Sequence, residues 1–564
     1  MKFINKILLV ALIVAIGACD ATDLDLQDNP NAVTPDRASV NDLYNSIQLT
    51  FNGVFTSGSV APGAAVRMFH AGGNFTYQAW TDPTTFNGLW FSTYSTLFPD
   101  IEALIPLADA AGLTVHSASA RIMQAYSLMM LVDVLGDVPF SEAGLGTDAI
   151  SPTPDPGGDV YGQAIALLDQ AITDLEGTNA SGPATDIYYG GDAARWATLA
   201  KTLQLRAAVT MRLVGGGPSV AALIAEGDLI DSADEDFQFN FGSQRLNPDS
   251  RHWMYISHYE TGDGDYLSNS YMWNVTAEKG VEDPRARYYF YRKVDNSDQQ
   301  DPTTYGCNFS TLPDQDLAPP HYGEVDPNLP YCYGAINGYI GRDHLNGQGI
   351  PPDGPIRTSY GLYPGGGQFD LNEFLDTRMA GTTGARGQGI SPIMLSSFVS
   401  FLRAEAALTM GTGEDARALL ETGIRESIAK TISFQSLVPG TFSRSLLDRE
   451  GNSALVSDLF GVTDADIEAY VAFVLDEYDN TSNQLNIVMR EYYIALWGNG
   501  IEAYNLFRRT GSPNNLAPAL EPEPGPFPSS FFLPAVHVNR NASVSQRGDL
   551  TSPVFWDNGS AITY

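Results

Sequence analysis

Residues 391–410 read SPIMLSSFVSFLRAEAALTM, and after three further residues the stretch 414–428 reads EDARALLETGIRESI. In both stretches apolar residues recur at steps of three and four, the period of a helix with one buried face. Ser391 and Pro392 fit the N-cap and the first position of such a helix. We therefore expect a helix hairpin made of Ser391–Met410 and Glu414–Ile428.

The same periodicity occurs in three further pairs of segments. Asp192 fits the N-cap of one helix, which Gly215-Gly216-Gly217-Pro218 would stop. Thr463-Asp464-Ala465-Asp466 resembles a capping box before another helix. Four hairpins predict a mostly α fold built as a tetratricopeptide-like array, although the repeat spacing is not constant. The three pairs are Phe86–Ala111 with Ala118–Leu135, Val160–Leu175 with Asp192–Val214, and Asn483–Trp497 with Ile501–Arg508.

Residues 237–389 differ in composition from the helical segments. Of these 153 residues, 23 are aromatic, 20 are Gly and 12 are Pro, and no long helical stripe runs through them. We expect loops and short elements packed against the helical frame, the kind of segment that carries binding sites. The sequence thus predicts a single domain over residues 37–564, with this loop-rich insert inside it.

The N-terminus has the organisation of a secretory signal. A basic start at Met1–Lys6 precedes an apolar run from Ile7 to Ile16, and Ile16-Gly17-Ala18-Cys19 fits a bacterial lipobox. We expect a signal peptide over residues 1–18, an acidic tether over 19–36 and a lipid on Cys19. No later stretch reaches the ~18 apolar residues of a spanning helix, so that lipid is the predicted membrane attachment.

Charge and cysteine usage restrict the partners. The formal net charge is −35, which argues against a nucleic-acid partner because phosphate contacts need a basic surface. Cys307 and Cys332 remain after processing, and in an exported protein they are candidates for a disulfide bond. The alternative is two buried free thiols.

The search for catalytic chemistry is largely negative. The sequence has no His-Glu-x-x-His, no Gly-x-Ser-x-Gly and no Walker loop, and Asp263-Gly264-Asp265 is better interpreted as a turn than as a calcium loop. We expect no enzyme activity, no cofactor and no metal. Carboxylate pairs for glycoside hydrolysis need no local motif, so an enzyme stays an open alternative.

Aromatic residues in the predicted loops point to a binding function. An aromatic ring offers a flat apolar platform to a sugar face, and neighbouring polar side chains hydrogen-bond the hydroxyl rim. Two segments have this mixture, His70–Trp80 and Arg251–Tyr255. By contrast, Trp196, Trp497 and Trp556 are expected to be structural. The candidate ligand-binding residues are Asn74, Tyr77, Trp80, Arg251, Trp253, Tyr255 and Trp273.

Four stretches together resemble the SusD/RagB lipoproteins, and most closely their SusD-like subgroup. The first, DLDLQDNPN at 23–31, is similar to the opening of that family after the lipid cysteine. LVDVLGDVPFSEA at 131–143 and FLRAEAAL at 401–408, with Gly423-Ile424 after it, resemble two internal elements. GIEAYNLFRRTG at 500–511 resembles a late one. Within these stretches we expect Gly136, Pro139, Arg508 and Arg509 to be structural.

The resemblance implies a fold and a role. It implies four tetratricopeptide-like hairpins that back an irregular ligand-binding half. It also implies a surface lipoprotein of the outer membrane that covers a SusC-like, TonB-dependent transporter and captures oligosaccharides. In members with known glycan sites the aromatic platforms come from an early and a middle loop, where the two segments above lie. The acidic residues after Cys19 resemble the export signal of such proteins.

Other functions remain open at this point. RagB-like members imply peptide capture, for which Arg251, Arg287 or Arg292 would recognise the termini and the backbone. Two further alternatives remain: an enzyme, and a lid that binds no ligand of its own.

Overall fold

The computed structural model describes residues 39–260, 265–295, 318–325, 328–329, 331, 337–347, 356–375, 377, 381–447 and 451–559. The predicted signal peptide, tether and lipidated Cys19 lie outside these residues, as do Cys307 and Cys332 of the predicted disulfide.

Helices dominate the described part of the chain, in agreement with the mostly α prediction. They are α1 Val40–Ala65, α2 Tyr77–Trp80, α3 Asn87–Ser92, α4 Phe98–Ala110, α5 Thr114–Leu135, α6 Gly157–Leu175, α7 Ala193–Thr210, α8 Val220–Glu226, α9 Trp253–Tyr259, α10 Asn269–Thr276, α11 Ala286–Tyr289, α12 Tyr322–Val325, α13 Ser396–Met410, α14 Ala416–Ser433, α15 Pro439–Phe442, α16 Val456–Phe460, α17 Asp464–Asn480, α18 Gln484–Ala495, α19 Gly500–Thr510 and α20 Ala535–Val538.

Strands among the described residues are short and form three antiparallel pairs. β1 Phe237–Asn240 pairs with β4 Ile390–Met394, and β2 Phe290–Tyr291 pairs with β3 Ser359–Tyr360. A hairpin is formed by β5 Ser445–Leu447 and β6 Ser453–Leu455. Single turns of other helix types occur at Thr93–Leu97 (π), and at Gly146–Ala149, Met211–Leu213 and Phe434–Leu437 (3₁₀).

Capping residues begin the helices where the sequence indicates. The Asp192 side chain accepts from the backbone N–H of Ala194 and Arg195 at the start of α7. Thr463 and Asp466 form the predicted capping box of α17. Because a cap satisfies backbone donors that have no partner inside the helix, it fixes where the helix begins.

Three of the four predicted pairs pack as hairpins. α4 packs against α5, α6 against α7, and α13 against α14. The fourth pairing is wrong, because α18 packs mainly against α13, α14 and α17, whereas α19 lies along α1. A Cβ on Gly500 would overlap Gly63 and the Ser59 carbonyl, so two glycines allow the close approach of α19 to α1.

The beginning of α13 also differs from the prediction. Residues 390–394 form β4, and the helix begins at Ser396. Ser391 and Pro392 pair with Phe239 and Gln238 of β1, about 150 residues earlier in the chain. This long-range ladder overrides the local Ser-Pro helix signal, a form of competition that local sequence does not reveal.

The core contains the three tryptophans that were expected to be structural. Trp196, Trp497 and Trp556 are at most 1% exposed. The described part of the insert consists of loops, short helices and strands of two to four residues. It packs on this core through residues such as Tyr271, which stacks on Trp497 with ring centroids 4.6 Å apart. The helical frame thus holds an irregular region of short elements in place.

Candidate functional site

The segment that follows α1 supplies the first wall of the candidate site. After Ala65 the chain turns through Arg67, which has a φ of +65° and whose Nε donates to the Ala517 carbonyl at 2.7 Å. The one-turn helix α2 comes ten residues later and is capped by Thr76, whose hydroxyl accepts from Ala79 N–H. This helix places Tyr77 and Trp80 on a loop that a cap and a buried arginine hold in position.

Backbone bridges tie this loop to two segments of the insert. Phe69 bridges to Leu267, Gly72 to Asn346, and Ser268 to Arg342. Leu345 N–H donates to the Ala71 carbonyl at 2.9 Å. Three segments separated by up to 270 residues are therefore held side by side by main-chain hydrogen bonds, which gives an irregular region a fixed shape.

A cavity of about 400 Å³ opens between these three segments, and we call it the Trp80 cavity. Trp80 is half-buried on its wall, packed against the hydrophobic core on one side. Aliphatic side chains from α1 and polar side chains from the loops complete the lining. Besides Trp80, these residues are Val60, Ala61, Ala64, His70, Gly72, Gly73, Thr81, Thr85, Asp265, Tyr266, Arg342 and Asn346.

The other aromatic residue of the cavity, Tyr266, has both ring faces occupied. The guanidinium carbons of Arg342 and Arg357 lie 3.9 and 3.8 Å from its ring centroid. Two groups cannot share one position above a ring, so one lies on each face. Such contacts are favourable because the face of an aromatic ring is electron-rich. Trp80 is therefore the aromatic surface of this cavity that is available for stacking.

His70 contributes an uncharged imidazole to the wall. Burial, reinforced by the charges of Arg342 and Arg357, lowers the pKa of His70 to about 3. The imidazole is consequently neutral at ordinary pH, with a ring nitrogen suited to hydrogen bonding. An aromatic platform, hydroxyl and amide groups, and both signs of charge around one opening suit a polar ligand that also has apolar faces.

A second cavity, of about 770 Å³, is lined by Tyr77 of α2. Tyr77 lines it but is 3% exposed, with its ring against Phe527 and its hydroxyl 3.1 Å from His344 Nε2. Tyr77 N–H donates to the Pro524 carbonyl, which fixes the proline-rich wall 518–527 to the loop. Tyr77 thus joins this wall to the loop and presents little ring surface. Asn74, half-buried, packs its backbone against Gly347 and lines neither cavity.

The middle-loop candidates do not reach the Trp80 cavity. Arg251 is 4% exposed and its guanidinium bonds the carboxylates of Asp249 and Glu260 at 2.7 and 2.6 Å. Tyr255 is fully buried, stacked on Tyr259 with centroids 4.5 Å apart, and donates its hydroxyl to the Thr383 carbonyl. Both side chains are occupied by contacts within the insert, which assigns them a structural role.

Trp253 and Trp273 also pack within the protein. Trp253 is half-buried, and its ring meets the Phe69 ring edge-on with centroids 5.7 Å apart. It therefore packs against the loop that follows α1. Trp273 is 7% exposed in a small cluster with Tyr322 and Leu520. Of the seven candidate residues, Trp80 lines the cavity named after it and Tyr77 lines the second cavity.

The sequence interpretation missed residues that the insert contributes to the Trp80 cavity. Asp265 and Tyr266 come from the sequence around Asp263-Gly264-Asp265, for which we predicted a turn, and the polar run RDHLN at 342–346 supplies Arg342 and Asn346. A polar run shortly after Tyr339 was the available signal for the second of these segments. Their meeting with Trp80 depends on the backbone bridges, for which the sequence has no local pattern.

The described residues include no group of three or more His, Cys, Asp or Glu side chains placed to hold a metal ion. No helix within the described ranges is long and apolar enough to cross a membrane.

Solved structures with the same fold are numerous but distant in sequence. A SusD/RagB family protein from Bacteroides thetaiotaomicron superposes with a TM-score of 0.60 at 20% identity, covering 93% of this chain and 100% of that one. A SusD homolog from Bacteroides fragilis gives 0.60 at 15%, covering 92% and 99%. A chitin-binding SusD homolog from Flavobacterium johnsoniae gives 0.57 at 18%, covering 91% and 98%. A comparison with curated protein sequences found no match.

Family models match most of the chain. The model SusD-like_2, described as "Starch-binding associating with outer membrane", matches residues 56–319. The model SusD-like, described as "Susd and RagB outer membrane lipoprotein", matches residues 382–534. Together they span more than half of the sequence, in chain order and on one fold, and the chain belongs to the SusD/RagB family of outer-membrane lipoproteins.

Proposed function

We propose that this protein captures oligosaccharides at the cell surface and delivers them to a SusC-like, TonB-dependent transporter of the outer membrane. The Trp80 cavity is the proposed capture site. In this proposal the protein binds and releases its ligand without changing it chemically.

The half-buried ring of Trp80 is the observation that carries the proposal. It lines a cavity whose other walls hold the hydroxyl of Thr85, the amide of Asn346 and the carboxylate of Asp265. A pyranose has an apolar face of C–H groups and a rim of hydroxyls. A flat ring bordered by hydrogen-bonding groups matches both features at once.

Printed descriptions of related proteins support the same ligand class. One family model is described as starch-binding, and one solved neighbour as chitin-binding. Both polymers are neutral glycans. The acidic net charge of −35 disfavours polyanionic ligands and therefore agrees with a neutral one.

The peptide alternative has weaker support. It needs arginines that can bind a carboxylate terminus. Arg251 pairs with Asp249 and Glu260, and Arg292 pairs with Asp370 at 2.7 Å. Arg287 donates to the Asp370 carbonyl and to Asn372. A bidentate pair with a ligand carboxylate would have to replace these bonds.

Calorimetric titration against matched ligand sets tests the proposal. Purified protein without its signal peptide is titrated with neutral oligosaccharides of starch and chitin type, and in parallel with peptides of four to eight residues. We expect saturable heat with at least one glycan. Binding of the peptides alone would favour the RagB-like alternative, and binding of neither set would leave a lid without its own ligand.

The absence of turnover is tested on the same samples. The bound glycan is recovered after prolonged incubation and its chain length is determined by chromatography. We expect the input lengths. Shorter products that disappear when a carboxylate pair is mutated would make the protein an enzyme.

The lipid anchor is a separate part of the proposal. It is supported by Ile16-Gly17-Ala18-Cys19 and by the family description as outer-membrane lipoproteins. We expect Cys19→Ala to abolish acylation and to release the protein from membranes after a salt wash. A processed Cys19→Ala variant that stays in the membrane fraction would contradict lipid anchoring.

A further inference from the structure

A third cavity, of about 250 Å³, lies where β1 and β4 meet the end of α14. Phe241 N–H donates to the Gly389 carbonyl at 2.8 Å, so the ends of the two strands form one wall. It shares no lining residue with the Trp80 cavity. We call it the amide pocket, after a lining that includes Gln238, Asn240, Phe241, Gln388, Lys430 and Ser436.

One polar atom of the amide pocket has no partner. Gln238 and Asn240 are two residues apart on β1 and therefore project to the same face, where the Gln238 side-chain amide donates to Asn240 Oδ1 at 2.8 Å. The remaining atom of the Gln238 amide, Oε1, is buried and makes no hydrogen bond with any described residue. If the oxygen and nitrogen atoms of both side-chain amides are exchanged, the hydrogen bond between Gln238 and Asn240 is preserved. One atom of the Gln238 amide still has no partner among the described residues.

An unpaired buried polar atom is unfavourable. The Gln238 side chain as a whole is half-buried, so a small rotation would bring this atom to the pocket surface. A ligand hydroxyl there pairs with it whichever way the Gln238 amide is oriented, because a hydroxyl both donates and accepts. The Ser436 hydroxyl already donates to the Ser433 carbonyl and keeps lone pairs to accept a hydrogen bond. The hydrogen-bonding surface of the pocket thus suits an alcohol better than a pure donor or a pure acceptor.

The charge of the amide pocket is balanced internally. Lys430 is the charged side chain of its described lining, and its Nζ bonds Asp236 Oδ2 at 2.7 Å. An ionic ligand would have to compete with this pair. The half-buried ring of Phe241 and Leu437, which is 37% exposed, add apolar surface. A neutral ligand with both C–H and O–H groups fits this combination.

We propose that the amide pocket is a second carbohydrate site, which binds one residue of a neutral sugar. Its volume lies below the roughly 300 Å³ at which pockets for drug-sized ligands begin, so it suits a single ring and not a chain. The inference shares its ligand class with the proposed function, and it concerns a different pocket with different residues.

Saturation-transfer NMR with single sugars tests the second site separately from the first. The probes are the methyl glycosides of D-glucose, D-galactose and N-acetyl-D-glucosamine at millimolar concentration. The protein is the Trp80→Ala variant, in which the first platform is absent. We expect transfer to at least one probe, and a loss of at least tenfold when Ser436→Trp is added to fill the pocket.

Ser443→Trp in the same background is the matched control. Ser443 is also exposed and its hydroxyl also donates to a helix carbonyl, that of Pro439, but it does not line the pocket. This variant should keep the transfer. Gln238→Leu provides a test that does not add bulk: it should lose the transfer without lowering the thermal midpoint, because it removes the unpaired atom.

Two outcomes would overturn the second site. One is that none of the three sugars shows transfer to the Trp80→Ala variant. The other is transfer that persists in both Ser436→Trp and Gln238→Leu. Failure of the proposed function has a different signature, in which wild-type protein binds no glycan in the titration described above.

Discussion

At the scale of single residues, a buried carboxylate connects helices that are distant in the sequence. Asp133 of α5 accepts hydrogen bonds from Arg206 at 2.8 Å, Asn505 at 2.7 Å and Trp556 at 2.9 Å, and also from the Tyr161 hydroxyl. Arg206 continues to Glu502, and Glu502 to Arg509, which bonds Glu405. The network explains why three stretches of the family resemblance carry charged residues inside the core.

We expect Asp133→Asn to lower the free energy of unfolding by about 3 kcal/mol. The substitution keeps the shape of the side chain but removes one of the two carboxylates that pair with the buried Arg206 guanidinium, and breaking a buried ion pair is expensive. Urea unfolding followed by circular dichroism measures the change. Asp479→Asn is the matched control. It breaks an exposed pair with Arg417 and should therefore lower the free energy of unfolding far less than Asp133→Asn does. Equal effects of the two variants would refute the structural role of the network.

Glu426 gives a pH dependence with a defined sign. Burial raises the pKa of the Glu426 carboxyl to about 7, and the nearby carboxylates of Asp236 and Asp231 act in the same direction, whereas the hydrogen bond from Ser400 opposes it. Between the ordinary value near 4.5 and about 7 the folded protein holds a proton that the unfolded chain has lost. Stability therefore falls as pH rises through this window.

We expect Glu426→Gln to remove that part of the pH dependence. The thermal midpoint of the variant relative to wild type should rise steadily from pH 4.5 to pH 7 and then level off. Differential scanning calorimetry at half-unit pH steps measures it. A difference between variant and wild type that does not change with pH would show that Glu426 has an ordinary pKa.

At the scale of elements, the sequence predicted where helices begin better than it predicted which helices pack together. Asp192 and the box at Thr463–Asp466 act within one turn, so the sequence contains all that determines them. The error at Ser391–Pro392 arose because β1, far away in the chain, pairs with this stretch. The incorrect prediction of the fourth hairpin has a similar cause. α19 packs on α1, where Gly500 and Gly63 are in close contact, and not mainly on α18, its neighbour in sequence.

The cap of α2 should affect ligand binding because this helix carries Trp80. Thr76→Val removes the hydroxyl that accepts from Ala79 N–H and preserves the shape of the side chain. Loss of a cap costs about 1 kcal/mol, so we expect affinity for the glycan to fall about fivefold with little change in the thermal midpoint. Calorimetric titration and thermal unfolding measure the two quantities.

Thr463→Val is the control for that experiment. It removes the cap of α17, which contributes no lining residue to the Trp80 cavity. It should lower the free energy of unfolding by about 1 kcal/mol and leave affinity unchanged. If both variants lose affinity equally, the effect is one of general stability and α2 has no special role.

At the scale of the whole molecule, a helical frame holds together loops from widely separated parts of the chain. The Trp80 cavity combines residues near 60–85, 265–266 and 342–346. The sequence predicted the mostly α fold, because helical periodicity is a local property. It also indicated Trp80 as a candidate, and the structure places this residue on the wall of a cavity. It did not reveal the buried partners of Arg251 and Tyr255, since an aromatic or arginine in a loop looks the same in sequence whether it faces solvent or a buried partner.

The disulfide between Cys307 and Cys332 stays a prediction, since both residues lie outside the described part of the chain. It would close a segment of about 25 residues and contribute on the order of 3 kcal/mol. Thiol labelling of unfolded, unreduced mature protein should find neither position free. Mass spectrometry that locates label on both cysteines would contradict the bond.

Trp80 is the proposed platform on which a sugar stacks. Calorimetric titration of the Trp80→Ala variant with the best glycan of the panel tests this role, with thermal unfolding of the same samples. Loss of the ring contact and of its buried area should take about 2 kcal/mol, roughly a thirtyfold increase in Kd, with little change in the thermal midpoint. Trp90→Ala is the matched control, because Trp90 is also half-buried but stacks on His537 and does not line the cavity. It should bind like wild type. A Trp80→Ala variant that binds the glycan as tightly as the Trp90→Ala variant, or that loses binding only because it unfolds, would contradict the account.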